Sequence, residues 1–380
     1  MQSHPPTDDG FFDGALGSFL FQWYWAIERE EDKLEAVFDQ LSQIFDRLNS
    51  QTSSLTGDSL STGLAGFASV ICHLEQHHQI GLDLNELLGE IDQMLIACIE
   101  SNIEAGKVDF YHQAMGGVAY LIRRLPEPKI EQALETLLVK LKSHAVHDQH
   151  GLRFLSTMGA GRGKAYDLGL AHGLCGLCLT LLPLVPHPRL GVLAKDIVLP
   201  AVDFLLYSHG FAERSERPEG PDWSLMPILM NADDHRVQFT NRLAYCYGDL
   251  NQLLVFVQAQ RYLPEHADRY QNLIDQLQPR VCALRTTEET GIDDAHFCHG
   301  ACGVAVIFDS LFRYTRDGAY QVAYQYWIEQ THRFLASDIA EAKYASKEAS
   351  LLEGFSGIGL VLLSDQAEDH LPWPELFLLS

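Results

Sequence analysis

Cysteine is scarce in this 380-residue chain, basic charge falls well short of acidic charge, and no apolar run is long enough and unbroken enough to leave water. Eight cysteines, none before Cys72, are too few for a secreted disulfide framework. They suit a reducing cytoplasm in which thiols stay free to bind metal. Lys and Arg number 27 against 51 Asp and Glu, for a net charge of −24. Nucleic-acid affinity comes mainly from Lys and Arg displacing counterions, so this balance argues against a nucleic-acid partner. The opening MQSHPPTDDGFFDG has neither a basic n-region nor an apolar h-region, and no secretory signal is expected. The longest stretch free of Asp, Glu, Lys and Arg, between Asp167 and Arg189, is interrupted by His172, Pro183, Pro186, His187 and Pro188. It reads as a buried helix with a proline-rich exit rather than a transmembrane segment. Sustained period-2 alternation is also missing, and no Asn-Gly or Asp-Gly turn joins two such runs, which leaves an all-α class.

What is present is helical periodicity. Leu34, Val37, Phe38, Leu41, Ile44, Phe45 and Leu48 follow i, i+3, i+4, i+7 spacing, with Glu35, Asp39 and Arg47 on the opposite face. Leu84 to Cys98 and Ile130 to Leu141 repeat the pattern. Between such helices comes a second kind of segment, a small-x-x-small turn leading into an almost wholly apolar helix. Its copies are Gly14-Ala-Leu-Gly17, Gly63-Leu-Ala-Gly66, Gln113-Ala-Met-Gly116, Gly173-Leu-Cys-Gly176, Gly248-Asp-Leu-Asn251, Gly300-Ala-Cys-Gly303 and Gly354-Phe-Ser-Gly357. Successive copies lie 49 to 75 residues apart, room for one inner and one outer helix each. A helix that is apolar nearly all round must be buried. We therefore expect residues 1–380 to form one α/α toroid, with seven inner and about seven outer helices. The widest gap holds a polar stretch, 207–241, expected as a loop excursion over one barrel face, either a lid or a plain insertion.

Three repeats carry reactive side chains at the glycine: Ala171-His172-Gly173, Tyr245-Cys246-Tyr247-Gly248 and Phe297-Cys298-His299-Gly300. Repeat register puts all three at one end of the inner ring. Two thiolates and one imidazole can hold zinc, and three protein donors leave the fourth tetrahedral position open, as in catalytic zinc sites. The other thiols have simpler readings. Cys72, Cys98 and Cys282 behave as small hydrophobes. Cys175 and Cys178 form a C-x-x-C inside an apolar helix with no second pair, so packing is preferred, as it is for Cys302. His296 reads as a supporting residue beside the ligands.

The strings Leu170-Ala-His-Gly173, Tyr245-Cys-Tyr-Gly248, Cys298-His-Gly300, Asp109-Phe-Tyr-His112 and Leu352-Glu-Gly354 resemble the lanthionine synthetase C-like family, the cyclases of lanthipeptide biosynthesis. The resemblance runs through essentially the whole chain. It implies a seven-fold α/α toroid and one zinc ion (Zn2+) per chain, held by Cys246, Cys298 and His299. It also implies a polar cluster that maps onto Asp109, His172, Arg242 and Tyr247. The implied reaction adds peptide cysteine thiolates to dehydroalanine or dehydrobutyrine, with a dehydrated precursor peptide as substrate and a dehydratase and an exporter as partners. Three positions depart from the pattern: Gln113 and Asn251 replace motif glycines, and Tyr245 replaces the Trp common before Cys-Tyr-Gly.

On this reading His172 is the general acid/base, because an imidazole with a pKa of about 6.5 suits proton transfer near neutrality. Asp109 orients it or takes the thiol proton, and Arg242 with Tyr247 stabilises developing negative charge. Simpler roles compete: a helix N-cap for Asp109, a surface ion pair for Arg242, a satisfied core histidine for His172. Two other functions fit less of the sequence. A non-catalytic zinc-containing scaffold for glutathione or peptide makes no use of Asp109, His172 and Arg242. An α/α-toroid glycoside hydrolase needs two facing carboxylates, for which Asp109 and Glu353 are the candidates, and leaves the cysteines idle.

Overall fold

The computed structural model describes residues 8–158, 164–212 and 224–379. Seven helices start directly behind the seven turn motifs: α1 (Ala15–Arg29), α3 (Leu64–His78), α5 (Ala114–Arg123), α7 (Leu174–Leu181), α9 (Asp249–Tyr262), α12 (Ala301–Thr315) and α14 (Phe355–Gln366). Every residue of α7 is buried, as is every residue of α3 from Leu64 to Leu74, whereas α1 and α14 bury about half of theirs. Between them run α2 (Leu34–Asn49), α4 (Leu84–Glu104), α6 (Pro128–His144), α8 (Gly191–Ala212), α10 (Ala267–Ala283) and α13 (Gly318–Ala340). Helices such as α2 bury only one stripe, here Val37, Leu41 and Ile44, as a helix with one face in water must. A single turn, α11 (Thr287–Thr290), precedes α12.

Helices α3, α5, α7, α9, α12 and α14 pack in sequence, and α14 returns onto α1, closing an α/α toroid. Among the described residues the outer layer has six helices where about seven were expected. After α14 the chain instead turns inward through a 3-10 segment, Trp373–Phe377. Phe377 lies 5.5 Å from Phe11, 5.9 Å from Phe12 and 5.0 Å from Phe297, ring to ring, and its carbonyl accepts from Tyr245 Oη at 2.8 Å. The final segment thus fills the interior that the inner helices surround.

The turns in front of the inner helices are joined by a closed relay of backbone hydrogen bonds. Phe11 and Phe12 N–H donate to Ser61 O, Ser61 to Tyr111 O, Tyr111 to Ala171 O, and Ala171 to Cys246 O. Tyr245 then donates to Cys298 O, Cys298 to Leu352 O, and Leu351 back to Phe12 O. Such close approach needs glycine at the helix starts. A Cβ on Gly303 would lie 1.8 Å from Phe297 O, and one on Gly300 2.3 Å from Asp294 Oδ1. At Gln113 the backbone has the same extended conformation, φ −137° and ψ −160°, but residue 107, six positions earlier, is Lys instead of the Asp found before Gly14, Gly173 and Gly300.

Among the described residues, five short strands lie on the toroid. β1 (Val146–Asp148) and β2 (Gly151–Arg153) form a hairpin, while β3 (Ala165–Asp167), β4 (Leu229–Asn231) and β5 (Val237–Gln238) form an antiparallel sheet with Ala165 opposite Asn231. Elements of two or three residues are too short to display alternation in sequence. The excursion expected from 207 starts later, because α8 continues through Ala212; its returning part is tied to β3, just before His172. Residues 213–223 of that stretch lie outside the described residues. No helix among those described is long and apolar enough to cross a membrane.

Candidate metal centre

The hydrogen-bonded relay determines which side chains meet. Cys246 and Cys298 are 52 residues apart in sequence, but Tyr245 N–H donates to Cys298 O at 3.1 Å, so their turns are neighbours. Cys246 Sγ lies 3.5 Å from Cys298 O, and Cys298 Sγ lies 3.8 Å from His299 Nε2. The donor atoms of Cys246, Cys298 and His299 all fall within 4.8 Å of one another, with both cysteines buried and His299 half-buried. The hydrogen bond with Cys246 and then those with His299 hold the Cys298 thiol down at about 5. Burial, and then Cys298, push Cys246 well above the usual thiol value. Of the two thiols, Cys298 is thus the easier to deprotonate and Cys246 the harder.

Asp109 and His172 come from the two turns that precede Cys246 in the relay. His172 Nδ1 lies 3.6 Å from Asp109 Oδ2, while Asp109 Oδ1 accepts His112 N–H at 2.6 Å. Asp109 therefore caps its own turn and not α5, whose N-cap position is Gln113. Burial opposes a charge on His172, but the Asp109 carboxylate outweighs it and the imidazole pKa is raised. Arg242 and Tyr247 stand on the His299 flank. The Tyr247 ring is 5.5 Å from that of His299, and the Arg242 charge acts on His299 from a side chain packed over Gly291. All seven residues singled out in the sequence thus gather at one end of the toroid. His296 supports the ligand turn: its Nδ1 accepts His299 N–H at 3.2 Å and its Nε2 lies 3.3 Å from Asp294 Oδ2. Cys175, Cys178 and Cys302 are wholly buried, and burial pushes their thiols up, as packing groups.

The family model described as Lanthionine synthetase C-like protein matches residues 5–378. The chain belongs to the lanthionine synthetase C-like family. Among solved structures it is similar to "Nisin cyclase", with a TM-score of 0.76 at 17% identity, covering 99% of this chain and 93% of that one. At that identity the likeness speaks for the fold. No curated protein sequence matches the chain.

Two of this family member's departures are explained by contacts that the sequence did not reveal. Asn251, in place of a motif glycine, donates to Ala244 O and Tyr245 O at 3.2 and 2.9 Å and accepts Leu170 N–H at 3.3 Å. It ties the Cys246 turn to the His172 turn. Gln113 accepts Asp109 N–H at 3.2 Å and donates to Thr157 Oγ1 at 2.8 Å, fixing the chain after β2 beside the centre. That chain walls a small cavity of about 20 Å³ lined by Asp109, His172, Phe154, Met158 and Leu177 among others. Sequence reasoning also missed the imidazole of His112, stacked on His172 at 5.5 Å and 19°, and Tyr111, edge-on to it at 5.6 Å. Only their position inside the Asp109-Phe-Tyr-His112 string could have pointed to them.

Proposed function

We propose that this protein is a zinc-dependent lanthipeptide cyclase, adding peptide cysteine thiolates to dehydroalanine or dehydrobutyrine to form (methyl)lanthionine thioether rings. The observation that supports it best is the convergence of Cys246, Cys298 and His299 within 4.8 Å at the end of the toroid where Asp109 pairs with His172. Two sulfurs and an imidazole are a donor set suited to zinc. When bound, zinc would supply the positive charge that keeps an incoming peptide thiol deprotonated and nucleophilic.

The chain's own residues do the rest. As the sulfur bonds to the β-carbon, the π pair of the dehydroamino acid moves toward its carbonyl, and a proton must reach the α-carbon. His172, oriented by Asp109, takes up the proton that the thiol gives away and delivers it to the α-carbon, so no proton is gained or lost overall. Arg242 and Tyr247, on the His299 flank, meet the negative charge that develops on the carbonyl oxygen. The cyclase's substrate must already be dehydrated, so a dehydratase acts before it.

Metal quantification of the wild type and Cys298→Ala, paired with alkylation of free thiols on a dehydrated peptide, tests the proposal. Zinc-loaded wild type is expected to consume the peptide's thiols and Cys298→Ala to leave them free. A zinc-loaded wild type that leaves every thiol alkylatable overturns it.

A further inference from the structure

The inner helices start at the hydrogen-bonded relay, so residues late in α3 lie about 15–20 Å away along the helix axis, at the far end of the toroid. His73 and His77 stand there, four apart and therefore on one helix face. The final segment brings Glu375 between them. Glu375 Oε1 is 3.2 Å from His73 Nδ1 and also meets His77 Nε2. The three donor atoms fall within 4.8 Å of one another, and the lanthipeptide chemistry has no use for them. We propose that His73, His77 and Glu375 form a second metal site, which takes a first-row divalent cation and pins the final segment to α3.

Four observations support it. Two imidazoles and one carboxylate are a donor set favoured by zinc, cobalt, nickel or ferrous iron, and they leave further coordination positions open. His73 is already oriented from behind, as metal-bound histidines are, with its Nε2 2.5 Å from Tyr24 Oη. His77, at 32% side-chain exposure, gives a cation a way in from solvent, whereas His73 is fully buried. Arg123 fixes the kind of ion. Its Nη1 is 3.9 Å from Glu375 Oε1, and it also donates to the Glu375 backbone carbonyl. A neighbouring guanidinium repels ions held by charge alone, such as calcium or magnesium, and favours those with real affinity for imidazole nitrogen. In the metal-free protein both imidazoles give an N–H to the same carboxylate oxygen. The ion replaces these two protons, which move to His73 Nε2, facing Tyr24, and to His77 Nδ1.

The site is independent of the cysteine centre and can be read separately. Metal-free full-length protein is titrated with Co2+ and followed by absorbance, because thiolate ligands give a sulfur-to-cobalt charge-transfer band that nitrogen and oxygen ligands do not. Wild type is expected to take two equivalents, only one with that band. Cys298→Ala keeps only the equivalent without it. His77→Ala loses that equivalent and keeps the other, and Glu375→Gln weakens it at least tenfold, with circular dichroism confirming that both variants fold. A wild type that binds a single equivalent, abolished in Cys298→Ala, overturns the second site. So does a band-free equivalent that survives in both His77→Ala and Glu375→Gln. A band-free equivalent in the absence of any charge-transfer band would support this site while removing the cysteine one.

Discussion

The two oxygens of Asp109 do different work. Oδ1 accepts the His112 N–H and shapes the turn, while Oδ2 faces His172. Asp109→Asn keeps an acceptor for the turn but removes the charge that offsets the cost of burying a protonated imidazole. The pKa of His172 is therefore expected to fall, which a proton NMR titration of its ring measures; an unchanged titration would separate the two residues functionally. Cyclisation should slow, by less than the roughly 10²–10⁴-fold expected for loss of the general acid/base His172 itself. The sign for stability follows from the same pair. With the folded pKa raised, the contribution of His172 is complete below its unfolded value of about 6.5 and is lost as pH rises through the folded value. Denaturant midpoints across that window should decline in the wild type and lose the decline in Asp109→Asn.

At the scale of elements, the turn glycines permit the relay that sets the cysteines side by side. Gly303→Ala would drive a methyl against Phe297 O, 1.8 Å from its Cβ, and push aside the turn that carries Cys298. We expect a loss of about 1–3 kcal/mol, as for other overpacked sites, together with weakened metal binding. Gly89, inside α4 with open space for 4 Å around an added methyl, is the control: Gly89→Ala should stabilise by about 0.5–1 kcal/mol in a denaturant titration. The glycine pattern is also why so much was legible in the sequence. Seven motifs in register reported the inner helices and the adjacency of Cys246 and Cys298, because the same close approach demands glycine in nearly every repeat. Register alone left the third donor as an unassigned imidazole; His299 is the one whose nitrogen lies with the sulfurs. Other features left no such trace. Short strands have no period to display, and the stacking of His112 on His172 depends on side-chain directions that spacing does not encode. The inward turn after α14 replaces a helix by a few aromatic residues whose partners are hundreds of positions away.

Across the whole molecule, that inward turn joins the two ends of the toroid. Phe377 is 1% exposed and packs on Phe11, Phe12 and Phe297, residues of or beside the relay, while Glu375, two positions earlier, reaches α3 near its C-terminus. Phe377→Ala is expected to cost about 3–5 kcal/mol in urea unfolding, the range for a buried aromatic truncated to a cavity. A cost below about 1 kcal/mol would mean that the segment is an accessory to the interior and not part of it.

A row of stacked repeats ordinarily frays from its two outermost units, each of which has only one neighbour. The Leu351 N–H bonded to Phe12 O removes that asymmetry, since every unit here is flanked on both sides. Opening any one turn must then break two interfaces together, so the amides of the relay should exchange with solvent at one common slow rate, set by unfolding of the entire circle.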